Sequence, residues 1–318
     1  MTRSNASHTP SPKRSSADAL SHVTAEIARF LEQGVMPWRA PWDPNKAIAA
    51  TPGLPLRSTG EPYRGANVVL LWVAQIARGY SKRTWLTFRQ AIELGGHVRK
   101  GEKACPVVYY GQATTKSDRA ETGDDGEPAR SYRFLKLFHV FNVTQIDDLP
   151  DNFAVEPAPP EMREPEAFGL WVKRAGARLH VGGAHAFYSP TTDTIHVPPP
   201  EAFNDPEQWN STVGHEAVHF TGHPSRFDRL ADYHIDRKAL AREELIAEIG
   251  SAVLGAMSGF RPDHLEDHAA YISSWLDLVR EEPRAFLSAA AKAQTAVDWL
   301  IERAGPPAVE TRIENIAA

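Results

Sequence analysis

The residues best suited to chemistry stand together at His215-Glu216-Ala217-Val218-His219. Two histidines four apart share one face of a helix, about 6 Å apart along its axis, so both imidazoles can reach one cation. The glutamate beside the first histidine then faces the water that such an ion activates, where it serves as general base. Zinc, or a substitute such as manganese, supplies the electrophile and lowers the pKa of that water toward about 7. A hydrolytic site of this kind also needs a third protein ligand. The stretch RKALAREELIAEIGSAVLG offers three carboxylates, Glu243, Glu244 and Glu248. Glu244 and Glu248 are four apart and share a face. The reading favours Glu244 as ligand, with Glu248 either orienting a ligand histidine or taking the ligand's place. On an unbroken helix His223 would lie about 12 Å from His215, too far to share the ion, and it reads as structural or substrate-facing.

These residues need elements to hold them. Trp209, Val213, Val218 and Phe220 place the motif in a helical, partly apolar pattern, and further helices are predicted near 239–258, 263–281 and 285–304. Upstream, PEAFGLWVKRAGARLH predicts a helix, and AFYSPTTDTIHVPPP predicts two short strands around a turn. An edge strand above a metal can pair with an extended backbone, and Tyr188 is a candidate oxyanion donor. In the first half, Leu20, Val23, Ile27, Phe30 and Leu31 predict an amphipathic helix stopped by Gly34. A proline-rich loop over 37–62 follows, then a helix from Asn67. Thr87 and Gln90 make a capping box for a short helix ending at Gly95-Gly96. Runs at 105–111 and 132–143 read as strands flanking a polar loop.

At 318 residues, 42% hydrophobic and 24% charged, the chain has the composition of a globular protein and the length of two domains. No run approaches the roughly 20 apolar residues of a membrane helix, so no membrane partner is expected. The polar start lacks a secretory pattern, and a single cysteine, Cys105, excludes a disulfide framework or a cysteine-based zinc cluster. A cytoplasmic setting is the expectation. Residues 1–150 carry 20 Lys+Arg against 14 Asp+Glu, whereas 151–318 carry 15 against 26. A basic module joined to an acidic one points to two different partners, the first a polyanion. Aromatic and basic residues interleave there, and stacking faces beside phosphate-seeking cations suit single-stranded nucleic acid. The candidates are Trp38, Arg39, Tyr63, Arg64, Lys82, Arg83, Arg99, Lys100 and Lys103. The expected organisation is a disordered tail at 1–16, a binding domain at 17–146, a proline-rich acidic linker at 147–166, a mostly helical domain at 167–305 and a tail at 306–318. The expected fold class is α+β.

The pieces PWRAPW, TGEPYRGANVVLLW, WLTFRQAIELGGHVRKGEKACPVVYYG and LKLFHVFNVTQ resemble the N-terminal domain of ArdC-type antirestriction proteins. AFYSPTTDTIHVPP, STVGHEAVHFTGHPSRFDR, REELIAEIGSAVLG and AAYISSWLDLVR resemble that family's zincin-like metallopeptidase domain. The resemblance runs in order over about 17–304. It implies a small mixed domain that binds single-stranded DNA, followed by a zincin-like domain, carriage on mobile elements, and protection of incoming DNA from host restriction. Related N-terminal domains occur in plasmid primases of the TraC type. The alternative is a zinc protease that its first domain delivers to DNA-associated protein targets. A third reading has a structural metal site, with function residing in DNA binding alone.

Overall fold

The computed structural model describes residues 16–36, 38, 53–114, 131–158, 160–261 and 268–307. The expected tails, apart from Ser16, Pro306 and Pro307, lie outside these residues, as do Arg39 and the polar loop between the two long strands. The class is α+β.

In the first half, α1 (Ser16–Glu32) is followed by α2 (Ala66–Arg78). Gly79 ends α2 in the left-handed conformation, φ 71°. The capping box forms as expected: Thr87 accepts from Gln90 N at 3.2 Å and starts α3 (Phe88–Glu93). β3 (Cys105–Thr114) and β4 (Ser131–Asn142) form an antiparallel ladder from Cys105↔Val140 to Thr114↔Ser131. β1 (Trp85–Thr87) adds to the other side of β4, giving the order β1-β4-β3. β2 (His97–Val98) pairs with β5 (Ile146–Asp147). These short strands escape the pattern reading because two or three residues carry no period. On α2, the Asn67 side chain donates to Val108 O and accepts from Val108 N, both at 2.8 Å, on the outer side of β3.

The second half begins with α4 (Pro165–Arg174). β6 (Arg178–Val181), β7 (Phe187–Ser189) and β8 (Thr194–Val197) follow, in the order β6-β8-β7. β6 runs parallel to β8 and β7 antiparallel to it, so β7 is an edge strand. Ile195 and Val197 are buried with α5 (Pro206–Thr221) in the same core. Asp205 caps α5 by accepting from Gln208 N, and Pro206 occupies its first turn. α6 (Arg237–Ser258) is capped by Asp236 and ends at Gly259, φ 79°. A Cβ there would lie 2.2 Å from Pro160 O, so glycine serves both the turn and the close approach. α7 (His268–Glu281) and α8 (Ala285–Ala304) complete the bundle. Among the described residues, no helix is long and apolar enough to cross a membrane.

One apolar core runs through both halves, from Val23, Ile27 and Trp38 to Val297 and Leu300. α1 packs on α7, and Arg280 at the end of α7 reaches Glu32 at the end of α1 at 2.5 Å. The proline-rich stretch after β5 lies against the first half: Arg83 pairs with Glu156 at 3.1 Å and donates to Pro157 O at 3.1 Å.

Candidate metal centre

α5 and α6 cross face to face at small residues. A Cβ on Gly250 would lie 2.7 Å from Val218, and Ser251 Oγ donates to Ser211 O at 3.1 Å. This close crossing sets the histidines of α5 against the carboxylates of α6. His215 Nε2 and His219 Nε2 face each other at 3.0 Å. Glu244 on α6 has Oε2 3.5 Å from the first and Oε1 3.5 Å from the second. Ligand atoms about 2.0–2.2 Å from a shared ion in tetrahedral array stand roughly 3.3 Å from one another, which these spacings bracket. His215, His219 and Glu244 are buried, and among the described residues they alone form a cluster able to hold a metal ion.

Each imidazole has a carboxylate behind it. His219 Nδ1 is 3.2 Å from Glu243 Oε1, a carboxylate that can only accept, so Nδ1 donates there and Nε2 is the nitrogen turned to the centre. His215 Nδ1 faces Glu248 Oε1 at 3.7 Å. Glu243 is in turn held by Arg229, which donates to both its oxygens at 2.9 Å and also to Thr221 Oγ1 and Val218 O. Tyr233 donates to Glu244 Oε1 at 3.1 Å.

The electrostatics are those of a cation site. Burial lowers the pKa of His219, but Glu244, Glu243 and Glu216 outweigh it and raise the imidazole to about 9. Burial would raise Glu244, yet the two histidines and Tyr233 bring it down to about 2. Glu243 is likewise lowered against its burial, by His219 and Arg229. Glu216 behaves oppositely. Its burial pushes the carboxyl up, and the histidines and the Tyr188 backbone amide only partly offset this. A raised carboxyl beside such a cluster suits proton transfer.

His215, Glu216, His219 and Glu244 line a cavity of about 250 Å³ together with Phe187, Tyr188, Thr212, Tyr233 and Tyr271. Edge strand β7 forms one wall. The Tyr188 hydroxyl is engaged elsewhere, donating to Asp193 at 2.7 Å and accepting from Arg226 at 3.1 Å, which removes it as an oxyanion donor. α5 ends at Thr221, and His223 pairs with Ser225, outside the cluster. Glu243 had no role assigned from sequence, and Arg229 and Tyr233 carried no local signal at all.

The expected DNA contacts divide. Trp38 is fully buried and cannot stack on a base, because its indole packs edge-on to Trp275 at 5.5 Å and alongside Phe286 at 6.4 Å. Arg83 is also buried, with its guanidinium committed to Glu156. Tyr63 is half-buried, and Lys82 donates to Ala154 O. Arg64 and Arg99 are exposed but paired, the first with Asp298 and the second with Asp147 and Glu102. Lys100 and Lys103 face solvent. Exposed aromatics missed by the sequence reading lie on the long ladder: Tyr109 and Phe138 meet edge-on at 6.0 Å, 54% and 47% exposed.

A family model for the N-terminal domain of the anti-restriction factor ArdC matches residues 17–141, and one for a zincin-like metallopeptidase matches 166–292. The fold superposes on the metal-free crystal structure of antirestriction ArdC protein from the R388 plasmid with a TM-score of 0.76. Identity is 40%, over 90% of this chain and 98% of that one. The chain belongs to the ArdC antirestriction family. The Mn(II)-bound structure of the same R388 ArdC protein aligns with a TM-score of 0.74 at 39% identity, over 90% of this chain and 98% of that one. An ArdC-type site that takes a divalent metal agrees with the donor set described above. An uncharacterized protein, y4eC, of Sinorhizobium fredii is 34% identical over 89% of this chain and 91% of its own length. Two Escherichia coli DNA primases named TraC are each 34% identical over 88% of this chain, which spans 26% and 19% of their lengths.

Proposed function

We propose that this ArdC-family chain protects incoming mobile-element DNA from restriction by binding it as a single strand through its first half, and that its second half is a metal-dependent hydrolytic site. His215 Nε2, His219 Nε2 and Glu244 are the ligands, with Glu248 and Glu243 fixing the two imidazoles. A bound zinc or manganese ion supplies Lewis-acid chemistry, polarising a carbonyl and acidifying water. Glu216 takes the proton from the attacking water, and its burial keeps its affinity for protons high. The observation that carries the metal reading is the ring of three buried donor residues within 3.0–3.5 Å of one another.

DNA binding draws support from the basic excess of the first half, the exposed Lys100 and Lys103, and the Tyr109–Phe138 pair. Lys136 stands opposite Tyr109 on the same face of the ladder. Exposed rings beside cations offer stacking and phosphate contacts without demanding a base sequence. A second reading, cleavage of DNA-associated proteins, is favoured by Glu216, which a purely structural ion has no use for. Glu216→Gln keeps both histidines and removes the base, so comparing it with wild type in a restriction-protection assay separates the two. Protection that survives the substitution assigns the effect to DNA binding, and protection lost with metal and DNA affinity intact assigns it to hydrolysis. Wild-type chain that neither binds single strands nor protects them refutes the proposal.

A further inference from the structure

Trp38 comes from the segment between α1 and α2, yet its indole Nε1 donates to Glu248 Oε2 at 3.2 Å, 210 positions along the chain. Glu248 is completely buried, and its other oxygen stands 3.7 Å from His215 Nδ1, an ion-pair distance rather than a hydrogen bond. A phenylalanine would fill much of the same space between Trp275 and Phe286, so what tryptophan adds is the N–H. We propose that Trp38 is a positioning residue for the metal centre: it fixes the Glu248 carboxylate, which fixes the rotation and tautomer of the His215 ring. The first half of the chain thereby completes a site whose ligands all belong to the second half. This inference rests on the metal reading above.

The physical case is the one that holds for carboxylates behind metal-bound histidines. A buried carboxylate with one oxygen toward an imidazole can swing unless a donor holds the other oxygen. A donor to a charged acceptor in a dry site makes a strong hydrogen bond. The indole supplies that donor and is itself clamped by two aromatic rings and the α1–α7 packing.

The test uses the full-length chain and zinc alone as the probe, titrated against a competing chelator. Trp38→Phe is expected to weaken zinc affinity about tenfold, the lower end for loss of a group supporting a metal ligand. In a Glu248→Gln background the same change is expected to alter affinity less than about twofold, since the two residues act in one chain of contacts. The visible spectrum of the cobalt(II)-loaded protein, which reports ligand geometry, is expected to shift in Trp38→Phe. Unchanged affinity and spectrum in folded Trp38→Phe, or an equal loss in both backgrounds, overturns the proposal and leaves Trp38 a packing residue. Wild-type chain that takes up no zinc overturns the underlying metal reading instead. If Trp38→Phe does not fold, indole N–H resonances of the wild-type chain decide: the one moved by Glu248→Gln must also move on saturation with zinc, and its failure to do so refutes the link.

Discussion

Gly250→Ala tests whether the crossing of α5 over α6 sets the site. A methyl group at position 250 would lie 2.7 Å from Val218 Cγ2 and 3.1 Å from Cγ1, where carbon atoms normally rest at about 3.5–4.0 Å. Val218 cannot turn aside cheaply, because a valine within a helix is held to one dominant rotamer. Relief therefore comes from moving the helices apart by about 1 Å. Overpacking of this kind costs about 1–3 kcal/mol. Exchanging glycine for alanine inside a helix offsets about 1 kcal/mol of that. The expected net loss is about 1 kcal/mol in urea denaturation. A 1 Å displacement also far exceeds the ~0.2 Å tolerance of metal–ligand distances. Since Val218 adjoins His219 and Gly250 follows Glu248 by two residues, divalent-metal affinity should fall more than tenfold. A variant that gains about 1 kcal/mol and binds metal as wild type does, behaving like an exposed helical glycine, would refute the reasoning.

Arg83→Met should destabilise the fold by about 3 kcal/mol in urea denaturation, because it strands the Glu156 carboxylate in a mostly buried site, and a loss below 1 kcal/mol would contradict that. Replacing Lys100 and Lys103 with glutamine should flatten the salt dependence of single-strand binding by about 1.4 in log–log slope if each neutralises a phosphate, and an unchanged slope argues against the surface proposed here. The Cys105 thiol is buried, and burial pushes its pKa up to about 12 although Arg78 opposes this. It should therefore resist a thiol reagent at pH 8 until urea is added, and prompt labelling of the native chain would disprove the burial.

The parts of the site that were legible in the sequence are those fixed by geometry within one helix. Spacing alone put His215 and His219 on one face and ranked Glu216 as the base. It also put Glu244 and Glu248 on one face and favoured Glu244, but left Glu248 open as the alternative, because the choice depends on how α6 crosses α5. That crossing is decided by the small residues at Gly250 and Ser251, which have no signature of their own. Glu243 sits one position from Glu244 and serves the other histidine, an assignment that needs both helices in place. Among the DNA candidates, residue type misled most where packing intervened. Trp38 and Arg83 have the chemistry of nucleic-acid contacts and are claimed by the interior, whereas Tyr109 and Phe138, read only as members of two strands, stand about half exposed on the ladder.

The Asn67 amide has a consequence for how the protein behaves at high concentration. A strand at the margin of a sheet offers any extended chain a row of unmet backbone groups, and β3 is ten residues long. Val108 would present both of its groups outward, the unit on which an invading strand would dock, and the Asn67 side chain already answers both as a neighbouring backbone would. Carried on the first turn of α2, the amide acts as a stopper against sheet-to-sheet polymerisation, beside Pro106, which has no N–H to offer the same margin. Asn67→Ala would unplug that margin, and the fault would surface first as aggregation during expression while the metal centre still assembled normally.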